Sequence, residues 1–445
     1  MQHQALPGFR DFHPDALALR SHIFRVWRDT AARYGFEEYD GPPLEPLELY
    51  TEKSGTEIVG QLFNFVDKGD RAVSLRPEMT PTFARMVASR VNGMKKPVRW
   101  FSVPQLFRYE KQQRGRLREH FQLNCDLAGE AGSLADAEIV GLVIDIMRGF
   151  GLGATDVRVR LSDRRLLSGI LSALGLDGAA QGLAYALLDK LGRREEGEQR
   201  RALVAAGVGE GTIASLVSLR EIRTLDDVFQ QFPAASGNAE ALQATLDGLA
   251  ASGLADWIDL DLTIVRGLAY YTGTVFEVFD AGKTLRAICG GGRYDGLVQA
   301  LAGVDLPCVG FGMGDVVLGE LLSDRGLLPV PAPAIDVFVA SVTPDDVPHV
   351  LALTRRLRDG GLRVEHALSA STLAKQLKLA DARRARLAIV VGPDDRARGE
   401  VILRDLAGKA QSSVALDAAV TRTVELLAQA APAHAPGGAA LPTPT

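Results

Sequence analysis

Arg108, Glu110, Arg116, His120, Gln122 and Asp126 lie close together in one stretch of the chain, and their types suit a nucleotide with its phosphates. A guanidinium such as that of Arg108 offers a planar fork matched to phosphate oxygens, and Lys111, Arg114, Arg116 and Arg118 add positive charge for a polyphosphate tail. The ring of His120 can stack on a base. Gln122 and Asp126, two and six positions beyond His120, can accept donors from a second small ligand.

The elements that must hold these groups follow from periodicity. VRWFSVPQLFRYE and EHFQLNCDL, the two ends of the Val98–Leu127 stretch, alternate apolar and polar residues around a short basic segment containing Gly115. That pattern predicts an antiparallel hairpin with a basic tip. Period-two alternation puts Phe121, Leu123, Cys125 and Leu127 on one face, with His120, Gln122, Asn124 and Asp126 on the other. In the first arm Phe107 and Tyr109 oppose Leu106, Arg108 and Glu110. An ordinary amphipathic hairpin lying on a core has the same pattern.

At 445 residues the chain has room for two or three domains, and 47% apolar with 24% charged residues supports sizeable cores. A net charge of -5 excludes a globally basic nucleic-acid coat, so any polyanion must be met by local patches. The cysteines, Cys125, Cys289 and Cys308, are far apart and form no CxxC. That argues for a reducing compartment and against structural zinc or disulfides. MQHQALPGFRDFHPD has no apolar signal core, and no apolar run approaches a membrane span, so a cytoplasmic protein with no membrane partner is expected.

Along the chain, Pro14 marks a first helical turn, and Leu17, Ile23, Phe24 and Trp27 give an apolar stripe that ends at Gly35. FEEYDGPPLEPLELY reads as a strand broken by Pro42 and Pro43, an edge or a place where another chain abuts. LFNFVDKGDRAVSLR predicts a hairpin turning at Lys68-Gly69-Asp70, followed by a helix with Thr80 as N-cap and Pro81 as its first residue. A helix is predicted from about Ala135 to Phe150. Residues 165–255 are rich in Ala, Leu and Gly at helical spacing and read as a helical insertion. Strand character returns at 260–279 and 284–289, before GGGRYDGL and a glycine-rich strand, PCVGFGMG, that feeds a helix. The proline-rich LLPVPAPAI marks a linker. Beyond it IDVFVAS, a helix at Val347–Asp359, RVEHAL, a helix near Leu373–Ala382 and LAIVVG predict a small α/β domain with a mostly parallel core. The tail AAPAHAPGGAALPTPT reads as disordered.

GxxxxGK[ST] and HExxH are absent, no Cys/His cluster supports a catalytic metal, and GGGRYDGL lacks the rest of a dinucleotide fingerprint. The hairpin, LFRYE…RGRLREHFQLNCD, resembles motif 2 of class II aminoacyl-tRNA synthetases. GFEEYDGPPLE resembles their motif 1 and PCVGFGMGDVV their motif 3. LRPEMTPTFAR, VRGLAYYTGTVFEVFD and ICGGGRYDGL are similar to segments particular to histidyl-tRNA synthetases, and the pairing of RGLAYYTG with GGGRYDGL is the specific part.

The resemblance implies attack of the histidine carboxylate on the α-phosphate of ATP, then transfer of the acyl group to the 3′ end of tRNA(His). Arg108 matches the arginine that bridges α-phosphate and carboxylate, and Arg266 a second arginine at that phosphate, giving Arg108 and Arg266 the catalytic roles. Glu110 matches the adenine-side glutamate, His120 the stacking ring and Arg116 a group facing the distal phosphates. Glu78, Thr80 and Gln122 match the groups around the α-ammonium, while Asp126, Tyr270 and Tyr271 match those around the imidazole. The less favoured reading puts either tyrosine in the core without a ligand contact.

Val317 stands where motif 3 commonly has an arginine on the γ-phosphate, and Ala269 where an aspartate is common. Asp126 replaces a longer glutamate, so the imidazole must sit deeper or be met through water. Arg286 or Arg293, flanking the GGG turn, is expected to supply the missing cation.

Lys375, Lys378, Arg383, Arg384 and Arg386, with Arg396, Arg398 and Arg404, form either a solvated face or contacts to the tRNA backbone; the resemblance favours the second. The predicted architecture is α+β: an antiparallel-sheet catalytic domain at 1–325, a linker at 326–334, an anticodon-binding α/β domain at 335–430 and a tail at 431–445. ATP with Mg²⁺, L-histidine and tRNA(His) are the implied ligands, with a homodimer formed through the Pro43 region. The alternative is a histidine-sensing regulatory subunit of ATP phosphoribosyltransferase. Less favoured are a synthetase for threonine, proline or glycine and an unrelated nucleotide-dependent oxidoreductase.

Overall fold

The computed structural model describes residues 4–54, 60–111, 113, 115–191, 195–265, 270–282, 285–330 and 333–429. Two compact units divide the chain, Met1–Pro329 and Val330–Thr445. Arg266, Ala269, Arg114 and the tail at 431–445 lie outside the described residues.

The first unit opens with α1 (Pro14–Arg33), closed by Gly35 at φ +73°, a left-handed backbone that glycine adopts without strain. β1 (Glu37–Glu38) and β2 (Leu44–Pro46) are separated by Pro42-Pro43 as the sequence implied, and α2 (Glu48–Ser54) follows. β3 (Asn64–Val66) and β4 (Ala72–Leu75) form the predicted hairpin and join β2 in a three-stranded sheet. At its turn Asp70 takes φ +58°, and the Asp67 carboxylate accepts the Gly69 N–H at 2.8 Å.

After α3 (Thr80–Ala88), the motif 2 segment forms β5 (Val98–Ser102), β6 (Gln105–Phe107) and the long β7 (Glu119–Ala128). Both β5 and β6 pair antiparallel with β7, so the first arm is two strands with a break at Val103-Pro104. Then come α4 (Ser133–Gly149), β8 (Val157–Asp163) and the helices of the insertion. These are α5 (Arg164–Ala173), α6 (Gly178–Lys190), α7 (Glu196–Ala205), α8 (Glu210–Ser218), α9 (Leu225–Gln231) and α10 (Glu240–Ala251). β9 (Ile258–Leu260), β10 (Thr274–Asp280), β11 (Cys289–Arg293), α11 (Leu297–Ala302), β12 (Cys308–Gly314) and α12 (Asp315–Asp324) complete the unit.

The main sheet has nine strands in the order β1-β5-β7-β12-β11-β10-β8-β9, with β6 also on β7. Its interior is antiparallel; only the outer pairs β1–β5 and β8–β9 are parallel. One face packs on the main core. Leu123, Cys125 and Leu127 of β7 lie there against α4, whose Ile139, Val140, Leu142, Val143 and Ile144 are all buried. A helix apolar on most sides belongs between layers. The opposite face carries a smaller cluster, with Phe83, Tyr271, Val275, Tyr294 and Cys308, beneath the polar residues of β7.

In the second unit β13 (Val337–Ser341), α13 (Val347–Asp359), β14 (Val364–His366), α14 (Leu373–Ala382), β15 (Leu387–Val391), α15 (Pro393–Ala397), β16 (Glu400–Asp405), β17 (Gln411–Ala415) and α16 (Ala419–Gln429) follow in turn. Strand order is β14-β13-β15-β16-β17. The expected parallel core holds for β14, β13 and β15, but β16 and β17 are antiparallel. The short turn after Asp405 permits only a hairpin there, since a parallel crossover needs a dozen or more residues. Among the described residues no single helix is long and apolar enough to cross a membrane.

Candidate active site

Two cavities meet over the polar face of β7. The outer one, about 410 Å³, is lined by Arg108, Glu110, Arg116, His120, Arg286 and Val317 among others. The inner one, about 60 Å³, is lined by Glu78, Thr80, Asn124, Asp126, Tyr270, Tyr271 and Tyr294. Arg108, Gln122, Gly290 and Gly312 line both.

Glycine makes the floor. β12 reads CVGFGMG, so Gly310, Gly312 and Gly314 share one face while Val309, Phe311 and Met313 enter the core. A Cβ at Gly312 would stand 2.7 Å from Gln122 Nε2, and one at Gly310 would overlap Asp126 and sit 2.6 Å from the Cys125 carbonyl. On the next strand a Cβ at Gly292 would meet Tyr271 at 2.9 Å. Glycine in a strand interior here marks close approach of neighbouring groups.

Arg108 is aimed by its own Nε, which donates to the Pro77 carbonyl at 3.0 Å. Pro77 is in turn fixed by its neighbour Arg76, which is buried and donates to Asp40 at 2.7 Å, to the Gly41 carbonyl at 2.7 Å and to the Gln105 carbonyl at 3.1 Å. The hairpin tip turns at Gly115, φ +72°, and Gln113 and Arg116 exchange backbone hydrogen bonds. Arg116 donates to Glu110, and Arg286 donates to Gln113. Burial, then the positive charges of Arg286 and Arg108, hold the Arg116 guanidinium below its ordinary value. Like charges crowded around one hollow are a site for a polyanion. Burial and the neighbouring Arg108 and Arg10 push His120 down to about 3, so its ring is neutral at physiological pH.

In the inner cavity Tyr270 donates to Glu78 at 3.2 Å, and the Tyr270 ring lies 5.1 Å from Tyr271 and 5.9 Å from Tyr294. Asp126 is 2% exposed, and its Oδ1 accepts the Tyr294 hydroxyl. Its Oδ2 is buried without a hydrogen-bond partner among the described residues. Burial raises the Asp126 carboxyl to about 7, although the Tyr294 hydrogen bond pulls the other way. A buried carboxylate oxygen with no donor fits an incoming N–H.

Every expected site residue within the described residues therefore lines one cavity or both: Glu78, Thr80, Arg108, Glu110, Arg116, His120, Gln122, Asp126, Tyr270 and Tyr271. Arg266 lies outside the described residues. Three expectations need correction. Thr80 is not the N-cap of α3; Met79 is, without a side-chain cap bond, and Thr80 lines the inner cavity instead. The GGG run is not a turn but part of β11, paired on both sides.

Third, of Arg286 and Arg293, the second does not line the outer cavity. It is 1% exposed and bound to Asp136 at 2.8 Å and Asp295 at 3.1 Å. Gly291 faces the core with it, where a Cβ would strike Phe276 at 2.8 Å, so β11 turns its odd residues inward. Arg286 is the one of the two that lines the outer cavity, near Val317.

Two residues went unnamed in the sequence. Tyr294 follows Gly290 and Gly292 at period two and so shares their face. Arg10 donates to Glu119 at 2.7 Å and to Asp315 at 2.9 Å, and Asp315 accepts the Phe121 N–H at 2.9 Å. It ties the N-terminal segment to β7 and to the start of α12. Burial opposes the Arg10 charge, but Asp315 and Glu119 more than offset it.

Residues 8–314 match the family described as "Histidyl-tRNA synthetase", and residues 336–426 that described as "Anticodon binding domain". A histidine--tRNA ligase of Opitutus terrae is 46% identical over 419 residues, covering 92% of this chain and 95% of its own length. One from Leptospira biflexa is 36% identical over 95% of this chain and 97% of its own. The crystal structure of histidyl-tRNA synthetase from Nostoc sp. PCC 7120 superposes with a TM-score of 0.80 at 24% identity, over 96% of this chain and all of that one, which establishes the shared fold. With ligase relatives matched over nearly their full length and an anticodon-binding domain in place, the regulatory subunit is only a distant alternative. The chain belongs to the histidyl-tRNA synthetase family.

Proposed function

We propose that this aminoacyl-tRNA ligase joins L-histidine to ATP on the polar face of β7, then passes the histidyl group to the 3′ end of tRNA(His). In the first step a histidine carboxylate oxygen attacks the α-phosphorus, the bond to the β-phosphate breaks, and pyrophosphate leaves. In the second, a terminal ribose hydroxyl attacks the acyl carbon and AMP leaves. The observation that carries this reading is Arg108, which lines the outer and inner cavities together. A guanidinium at that junction can neutralise α-phosphate oxygens while holding the attacking carboxylate.

In this reading Arg266 is the second cation at the α-phosphate. Glu110 meets the adenine, the neutral His120 ring stacks on it, and Arg116 and Arg286 face the distal phosphates. Glu78, Thr80 and Gln122 hold the α-ammonium, and Asp126 with Tyr270, Tyr271 and Tyr294 reads the imidazole. Among the described residues no group of His, Cys, Asp or Glu forms a metal cage. Mg²⁺ typically keeps one or two carboxylates plus phosphate oxygens, and of the two carboxylates lining the outer cavity Glu277 would hold it, Glu110 being on the adenine side. There the metal would supply further charge neutralisation on the polyphosphate. Homodimerisation through the Pro43 region and a cytoplasmic setting complete the proposal.

Pyrophosphate exchange with a panel of amino acids tests it: exchange should require histidine, and its absence with histidine would overturn the reading. Arg286→Ala should raise the KM for ATP by about tenfold, as the loss of one charged hydrogen bond does, and leave the KM for histidine unchanged. Neutralising Lys375, Lys378 and Arg383 together should raise the KM for tRNA and steepen no other constant; equal loss in exchange and charging would count against a tRNA role.

A further inference from the structure

We infer that Tyr39 and Ser102 are specificity-determining positioning residues of the imidazole pocket, seating one buried water against Oδ2 of Asp126. The inference rests on the histidine reading of that pocket and adds two residues to it.

Register brings the groups to one face. Ser102 pairs with Asn124, and Trp100 with Asp126, across β5 and β7, so Ser102 and Asp126 share the site face. In the parallel β1–β5 pair Glu37 lies beside Trp100 and Glu38 beside Phe101, which puts Tyr39 next to Ser102 on that same face. The Tyr39 N–H donates to the Phe101 carbonyl at 2.8 Å and fixes this phase. Its ring packs 5.2 Å from Trp100 and 5.9 Å from Phe83, in the cluster that also holds Tyr271, Tyr294 and Cys308 beneath the inner cavity.

The polar atoms there are unsatisfied. Tyr39 OH, Ser102 Oγ and Asp126 Oδ2 are all buried without a hydrogen-bond partner among the described residues. Buried hydroxyls and carboxylates are rarely left so, and a site with such partners is what a structural water requires. A single water satisfies the set: it accepts from the Tyr39 hydroxyl and donates to Ser102 Oγ and Asp126 Oδ2. Burial, and then the Asp126 charge, raise the Tyr39 phenol well above its ordinary value while the adjacent Ser102 hydroxyl pulls the other way, so the three polar groups face one another although the two hydroxyls do not meet in hydrogen-bond geometry. Aspartate is one methylene shorter than glutamate, and the water occupies the difference. It braces the carboxylate from the β5 side while Oδ2 keeps a second lone pair for the ring N–H of histidine.

Tyr39→Phe and Ser102→Ala should each raise the KM for histidine roughly tenfold in pyrophosphate exchange, leave the KM for ATP unmoved, and combine without a further loss because they disturb one water. Asp126→Glu alone should lose affinity for histidine, because the longer acid collides with the water. Asp126→Glu with Tyr39→Phe, or with Ser102→Ala if the first pair fails to fold, should recover it. A general structural role would raise both Michaelis constants and give no such rescue. Unmoved KM values in the single variants, or no recovery in the pair, would overturn the inference while wild-type exchange with histidine still stands. Failure of wild-type exchange itself would instead remove the functional reading beneath it.

Discussion

Arg108→Ala should lower kcat/KM for histidine-dependent pyrophosphate exchange by about a thousand-fold or more, the scale of losing an arginine that stabilises a phosphoryl-transfer transition state. The size follows from position. Arg108 lines both cavities, so in the proposed reaction one side chain would serve the nucleophile and the phosphate it attacks. Its Nε is committed to the Pro77 carbonyl at 3.0 Å, which aims the rest of the fork rather than leaving it to wander. Most of the loss should fall on kcat, because charge on the phosphoryl oxygens grows in the transition state. Arg108→Lys should recover little: an ammonium keeps the charge but not the two parallel donors or the anchor. Single-turnover adenylate formation separates these effects from product release. A loss smaller than tenfold with an unchanged melting temperature would remove Arg108 from the chemistry.

The polar face of β7 was legible because a strand writes its two faces into the sequence, and Leu123, Cys125 and Leu127 went into the core as alternation required. Glycine misled. GGG was read as a turn because glycine is permissive there, whereas in β11 it lets strands and side chains approach closely, with a Cβ at Gly292 only 2.9 Å from the Tyr271 ring. Read as a strand, the segment would have placed Tyr294 on the face of Gly290 and Gly292 and turned Arg293 away from it. The destination of Arg293 was invisible for another reason: its partner Asp136 is 157 residues distant, and no local pattern announces such a pairing. Arg10 is the same case, joining the N-terminal segment to Glu119 and Asp315. Pattern thus gave the two faces of the strand, and the ion pairs that hold it in place came only from tertiary structure.

Asp126→Asn should raise the KM for histidine by about a hundred-fold and flatten its dependence on pH. In the wild-type protein burial raises this carboxyl to about 7, against an ordinary value near 4. Between those values the folded protein holds a proton that the unfolded chain has released, so this group makes the ligand-free protein less stable as pH rises from about 4 to about 7. Above about 7 both states are ionised and the penalty is constant. Binding runs the opposite way. A protonated carboxyl cannot accept at both oxygens, so affinity for histidine should weaken toward tenfold per pH unit below about 7 and level off above it. Histidine's own ring, deprotonating near 6.5, adds to the same trend. Its N–H, arriving at the open lone pair of Oδ2, favours the ionised form, so binding near pH 7 should release a proton from Asp126. Calorimetry in two buffers of different ionisation enthalpy measures that proton. The asparagine variant should release none from this position, and its melting temperature should lose the fall between acid and neutral pH. A wild-type KM that stays flat from pH 5.5 to 8.5, a range set to bracket the value of about 7, would mean that Asp126 is not the imidazole's acceptor.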